Sequence, residues 1–194
     1  MPPARRAGIV IDERFDGAAM TDPDTQLSQV RSLVVYYSRT GRTHAVAETV
    51  ARCAQGDVQP LGDTRKRTGP IGWVLCVFDA LRRATARIEP LDVEVEDYDL
   101  VFVGTPVWAD SAAPAVRAFV ITFGPRCKHL AFFATHWGPQ PGRTFSELAE
   151  RADQLPAGTL SVSAREIAQT TWAPKTRDFV HRAARVAAGG RQRV

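Results

Sequence analysis

The chain of 194 residues contains no uninterrupted apolar run of the roughly 18 residues that a membrane-crossing helix requires. Near the N-terminus only Gly8-Ile9-Val10-Ile11 is apolar before Asp12 and Glu13, too little for the core of a secretory signal. We therefore expect no membrane span and a cytoplasmic location. Cysteine is scarce as well: Cys53, Cys76 and Cys127 are widely spaced, odd in number and form neither a CxxC pair nor a Cys/His ligand spacing. They read as small buried hydrophobes in a reducing compartment, not as disulfides or metal ligands. Neither a GxxxxGK nucleotide loop nor a GxGxxG dinucleotide loop occurs, which removes the two commonest phosphate-binding fingerprints.

Charge of one sign is also lacking. The formal net charge is +4, and the bases are scattered apart from Arg65-Lys66-Arg67 and the group Arg82, Arg83 and Arg87. Six acids follow at once (Glu89, Asp92, Glu94, Glu96, Asp97 and Asp99), so a local charge contrast is expected and no nucleic-acid footprint. A carrier that docks on basic redox proteins would normally be acidic, and this chain is not.

What is present is an alternation of buried strands with amphipathic helices, enough for one domain. Residues 1–31 mix Pro, Gly, Asp, Thr and Arg without periodicity and are expected to be a poorly ordered extension, with translation starting at Met1 or Met20. Residues 32–188 form the domain and 189–194 a tail. Leu33 to Tyr37 is a strand, followed by a helix carrying Val46, Val50 and Cys53. Val58 to Leu61 is a short second strand, Arg65 to Gly72 a loop and Trp73 to Arg87 a helix. Leu100 to Val103 is a strand buried on both faces and ended by Gly104-Thr105-Pro106. Pro114 opens a helix to about Phe123, and His129 to Ala134 is another central strand. After a loop at Gly138 to Gly142, Thr144-Phe145-Ser146-Glu147 has the spacing of a capping box opening a helix to about Asp153. Thr159 to Ser163 is the fifth strand, and Pro174 starts a last helix whose apolar face uses Phe179, Val180, Ala183 and Val186. Five strands alternating with helices imply a doubly wound parallel sheet with helices on both faces.

In such a sheet ligands bind beyond the carboxyl ends of the strands. Three loops there carry the chemistry. Ser38-Arg39-Thr40-Gly41-Arg42-Thr43 places hydroxyls and a glycine at a helix N-terminus, where free backbone N–H groups and the helix dipole favour an anion such as a phosphate. Thr105-Pro106-Val107-Trp108-Ala109 offers a flat aromatic wall and backbone amides to the edge of a planar ring. Thr135-His136-Trp137-Gly138 adds a second wall and a glycine for close approach. A single loop histidine is more often solvated than catalytic, so His136 is assigned no proton transfer; no catalytic or metal-ligating residue is assigned.

The first loop resembles the flavodoxin phosphate loop, Ser/Thr-x-Thr-Gly-x-Thr; Asp99 to Trp108 resembles the strand and flavin loop of bacterial flavodoxin-like proteins, and Phe132-Phe133-Ala134-Thr135 the strand before their third loop. The similarity runs from about Leu33 to Val186. It implies strand order 2-1-3-4-5, FMN phosphate at Ser38 to Thr43, and isoalloxazine between the Thr105 and Thr135 loops. This chain departs from the family at Asp110, where relatives usually have glycine, and at His136-Trp137-Gly138, where many have Cys-Gly-Gly. An acid near the ring disfavours the anionic reduced flavin, and Trp137 either stacks on the ring or obstructs it.

The resemblance implies an FMN-binding redox protein, either an electron carrier with a redox partner protein or an FMN-dependent NAD(P)H:quinone oxidoreductase with an open face over the ring. The segment Gly69 to Ala86 resembles a helix-bearing insertion able to roof the site, which inclines the reading to the enzyme. The rival class is a flavodoxin-like binding or regulatory module without cofactor, which fits if Trp137 fills the ring site. A low-molecular-weight tyrosine phosphatase, which needs C-x5-R after the first strand, and a receiver domain, which needs an acceptor Asp where Gly104-Thr105 stands, are both excluded.

Overall fold

A computed structural model describes residues 30–61, 91–138 and 140–191. The expected helix at Trp73 to Arg87, the loop before it and the roof at Gly69 to Ala86 lie outside the described residues. Six strands are present among the described residues: β1 (Ser32–Tyr36), β2 (Asp57–Pro60), β3 (Leu100–Trp108), β4 (Ser111–Ala112), β5 (Leu130–His136) and β6 (Thr159–Ser163). The helices are α1 (Arg42–Ala54), α2 (Pro114–Phe123), α3 (Gly142–Ala152), α4 (Ala164–Gln169) and α5 (Ala173–Arg191).

Five strands form a parallel sheet in the order β2-β1-β3-β5-β6, the expected 2-1-3-4-5 with β4 set aside. Alternate residues of the central strands face opposite layers, which is why their runs are apolar throughout. Val34, Phe102 and Phe133 pack with Val46 and Val50 of α1 and Phe179 and Val180 of α5. Leu33, Val101, Val103 and Phe132 pack on the other side with Val116 and Phe119 of α2 and Leu148 of α3. Val30, the first described residue, is buried, and the rest of the expected extension lies outside the described residues.

Three expectations are corrected. Gly104-Thr105-Pro106 does not end β3, which continues to Trp108 because Val107 and Trp108 pair antiparallel with Ala112 and Ser111 of β4. Pro106 is tolerated because a proline still offers its carbonyl and the strand is leaving the parallel ladder there. The capping box at Thr144 to Glu147 does not form. Helix α3 starts earlier, at Gly142, without a side-chain cap, and Glu147 is engaged by Ser111 and Arg151. A reciprocal capping box occurs instead at Ser163 and Glu166, opening α4, a helix the sequence reading missed. Finally, Val186 is half exposed, and the buried stripe of α5 runs through Ala183, Ala184 and Ala187. From Val180 the 3.6-residue period reaches Ala187, not Val186.

Candidate functional site

The loops that follow β1, β3 and β5 converge at one end of the sheet. Between them lies a cavity of about 160 Å³ lined by Arg39, Thr40, Arg42, Thr43, Pro106, Val107, Trp108, Thr135, His136 and Trp137. All ten belong to the three loops singled out in the sequence.

The first loop turns on Gly41, whose φ of 82° suits a residue without a side chain. Its carbonyl accepts from Ala45 N at 3.0 Å, so Gly41 caps α1, yet no side chain caps the first turn. The leading N–H groups of a helix have no intrahelical acceptor, so this end is a concentration of donors. In the same loop the Ser38 hydroxyl is buried with no hydrogen-bond partner; neither Ser38 nor Gly41 lines the cavity. An unsatisfied buried hydroxyl costs about 1–3 kcal/mol, so its retention calls for an acceptor that completes it.

Loop one is tied to loop three twice. The hydroxyls of Thr43 and Thr135 are 2.8 Å apart, both buried. The Arg42 guanidinium lies over the Trp137 indole, 4.2 Å from the ring centre. This contact carries Trp137 to the rim of the cavity, where it is 76% exposed.

Loop two is the β3–β4 hairpin. Its turn residues Ala109 and Asp110 both have positive φ, 47° and 58°, the sign that two-residue hairpins need to match strand twist. Neither lines the cavity. Thr105 is fully buried and turned away from it: its hydroxyl accepts from Ala113 N and donates to the Pro106 carbonyl, both at 2.9 Å. Trp108 stands on the cavity wall, held edge-on by the half-buried Tyr37 with ring centres 5.7 Å apart. Beneath the hairpin, fully buried Arg117 donates to Ser111 Oγ and the Ala112 carbonyl, and Ser111 donates to Glu147. Nothing in the spacing of these three residues announced that brace.

In loop three, His136 has both ring nitrogens engaged. A carbonyl can only accept, so Nδ1 carries the proton to Gly138 O at 2.7 Å, and Nε2 pairs with Ser161 Oγ at 2.8 Å. These two bonds fix the orientation of the ring. Gly138 contributes this carbonyl and does not line the cavity. Behind Ser161, Lys175 donates to its carbonyl and pairs with Glu166. Burial opposes ionisation of Glu166, but hydrogen bonds from Lys175 and Ser163 override it and hold the carboxyl down at about 2. Asp110 pairs with Arg143 at 3.9 Å and does not face the cavity.

Among the described residues no cluster of His, Cys, Asp and Glu is fit to hold a metal ion, and no helix is long and apolar enough to cross a membrane. Burial pushes the Cys127 thiol up to about 12, with Glu96 adding to it and Arg126 opposing. That thiol is inert packing.

No protein-family model matches the chain, and no curated protein matches its sequence. Solved structures do. A protein from Bacteroides eggerthii assigned as a flavoprotein superposes with a TM-score of 0.63 at 21% identity, over 78% of this chain and 96% of that one. A flavoprotein of Lactobacillus acidophilus in complex with FMN gives 0.60 at 21% identity, covering 74% and 99%. The two-electron-reduced flavodoxin of Megasphaera elsdenii gives 0.53 at 19%, covering 79% and 98%. The chain has the flavodoxin-like fold.

Proposed function

We propose that this protein binds FMN non-covalently at the cavity and acts as a redox protein through it. The observation that carries the reading is the buried, partnerless Ser38 hydroxyl in the loop that leads into the uncapped N-terminus of α1. Ser38 itself does not line the cavity, but Arg39, Thr40, Arg42 and Thr43 of the same loop do, and Trp108 walls it elsewhere. A phosphate fits that combination: it offers several acceptor oxygens to donors that otherwise have none, and its charge suits the helix end and Arg39. The residues present therefore fit the group. Ser38, Arg39 and Thr40, with the leading N–H groups of α1, would hold the phosphate. Pro106, Val107, Trp108, Thr135 and His136 would bound the ring. Bound FMN supplies reversible one- or two-electron chemistry, and the protein supplies binding, orientation and electrostatics. The lining contains two arginines and no carboxylate, so it favours negative charge at the site. The rival module without cofactor loses its main support, because Trp137 stands at the rim instead of filling the cavity.

Two uses of the flavin follow. Exchange of electrons with a partner protein needs only an accessible edge. Hydride acceptance from NAD(P)H, with a quinone as final acceptor, needs one open ring face; of the two indoles among the described lining residues, Trp108 and Trp137, the latter is turned largely to solvent, which supports such a face.

The test begins with the visible spectrum of the purified protein and identification of the released flavin. Apoprotein should bind FMN more tightly than riboflavin; equal affinity would remove Ser38 to Thr43 as a phosphate site and sink the reading. Anaerobic mixing of FMN-loaded protein with NADPH or NADH then separates the two uses. Bleaching within seconds marks the oxidoreductase, and a flavin that stays oxidised marks the carrier.

A further inference from the structure

Cations are in excess at the cavity end. Arg39 and Arg42 line the cavity, and Arg143 stands 78% exposed at the start of α3, paired with Asp110, while Glu147 and Glu166 at this end are engaged by Arg151 and Lys175. The opposite end of the sheet is the reverse. Asp57 opens β2, Asp99 precedes β3, and Glu94, Glu96 and Asp97 pair with Arg126 and Arg31 there, so carboxylates outnumber the cations Arg31, Arg126 and Lys128. The described domain is thus electrically polar along its strands, with its positive end at the cavity.

On this positive rim stands Trp137, one face stacked on Arg42 and the rest open to solvent. Exposure of a tryptophan to this extent is costly in isolation, and Trp beside Arg is the composition of an interface hot spot. We propose that the Arg42–Trp137–Arg143 rim is the docking surface for an acidic redox protein. The inference rests on the reading of the cavity as an FMN site. The partner's carboxylates would face the arginines, Trp137 would be the apolar anchor, and the charge polarity would turn the cavity end toward the partner before contact.

The experiment measures docking itself, by calorimetry of the full FMN-loaded chain with an oxidised plant-type [2Fe–2S] ferredoxin, an acidic carrier, as the probe. Flavin content of each sample is read from its visible spectrum, so failure to bind FMN and failure to dock are seen separately. The expected result is binding at about 0.02 M salt that weakens at least about tenfold at about 0.2 M, as surface charges become screened. Arg143→Glu should weaken it about tenfold at low salt, Trp137→Phe less, and Glu94→Lys at the far end should leave it unchanged or tighten it slightly. Absence of binding at low salt, or binding indifferent to Arg143→Glu, would overturn the proposal, as would equal weakening by a charge change at the far end.

Discussion

The Thr43 and Thr135 hydroxyls, 92 positions apart in sequence, meet at 2.8 Å in the buried seam between the first and third loops. Thr43→Val removes one partner and strands the other, so it should destabilise the fold by about 1–3 kcal/mol in urea titration. The double variant Thr43→Val with Thr135→Val should recover a large part of that loss, because two apolar groups of similar shape then meet. Strict additivity of the two single effects would mean that the hydroxyls are not coupled.

Gly104 faces the ring of Phe133 so closely that an added Cβ would lie 2.2 Å from its Cζ. Phe133 is fully buried and cannot swing away. Gly104→Ala should therefore cost about 1–3 kcal/mol through overpacking, and Phe133→Leu in the same chain should relieve part of it. Thermal melts of the three variants check this.

Ala109 occupies a left-handed conformation that an L-residue with a Cβ adopts at a cost of roughly 1–2 kcal/mol. Ala109→Gly removes that cost while loosening the unfolded chain, so a net gain of up to about 1 kcal/mol is expected. A lowered melting temperature would show that Ala109 makes contacts that outweigh its backbone strain.

Glu166 has a carboxyl held at about 2 against an ordinary 4.5. A folded value below the unfolded one gives stability that is complete above about pH 4.5 and lost as pH falls toward 2. The group is one-third exposed, so solvent screening reduces the contribution to about 1 kcal/mol. Glu166→Gln should flatten the acid limb of stability against pH over that window, and an unchanged limb would remove the Lys175–Glu166 pair as its source.

Trp108→Ala should weaken FMN binding by roughly 0.5–1.5 kcal/mol for the lost aromatic pairing, and more where burial is lost with it. In the native chain FMN should quench tryptophan fluorescence. Retained affinity and quenching in the variant would take Trp108 out of the site.

The sequence disclosed the strands because β1, β3 and β5 are buried on both faces and therefore read as apolar runs, and it disclosed the three loops because each follows such a run. Order within the sheet came from the family resemblance, since periodicity carries no information on neighbours. What stayed hidden depends on residues distant in the chain. His136 is fixed by Ser161, and Arg117 reaches Ser111, which Glu147 also holds. The capping box at Thr144 matched in spacing, but Ser111 and Arg151 compete for its Glu147. Gly104 and Pro106 looked like terminators because local propensity cannot see that Ala112 will return to pair with Val107.

The overrun of β3 joins the sheet centre and the cavity wall in one continuous strand. Its first half is clamped between β1 and β5, and its second half carries Trp108. Four residues, about 13 Å of extended chain, join the close approach of Gly104 and Phe133 to that indole. The wall behind the cavity therefore inherits its rigidity from the centre of the sheet, and a tilt introduced there would be delivered to the indole like motion at the far end of a lever.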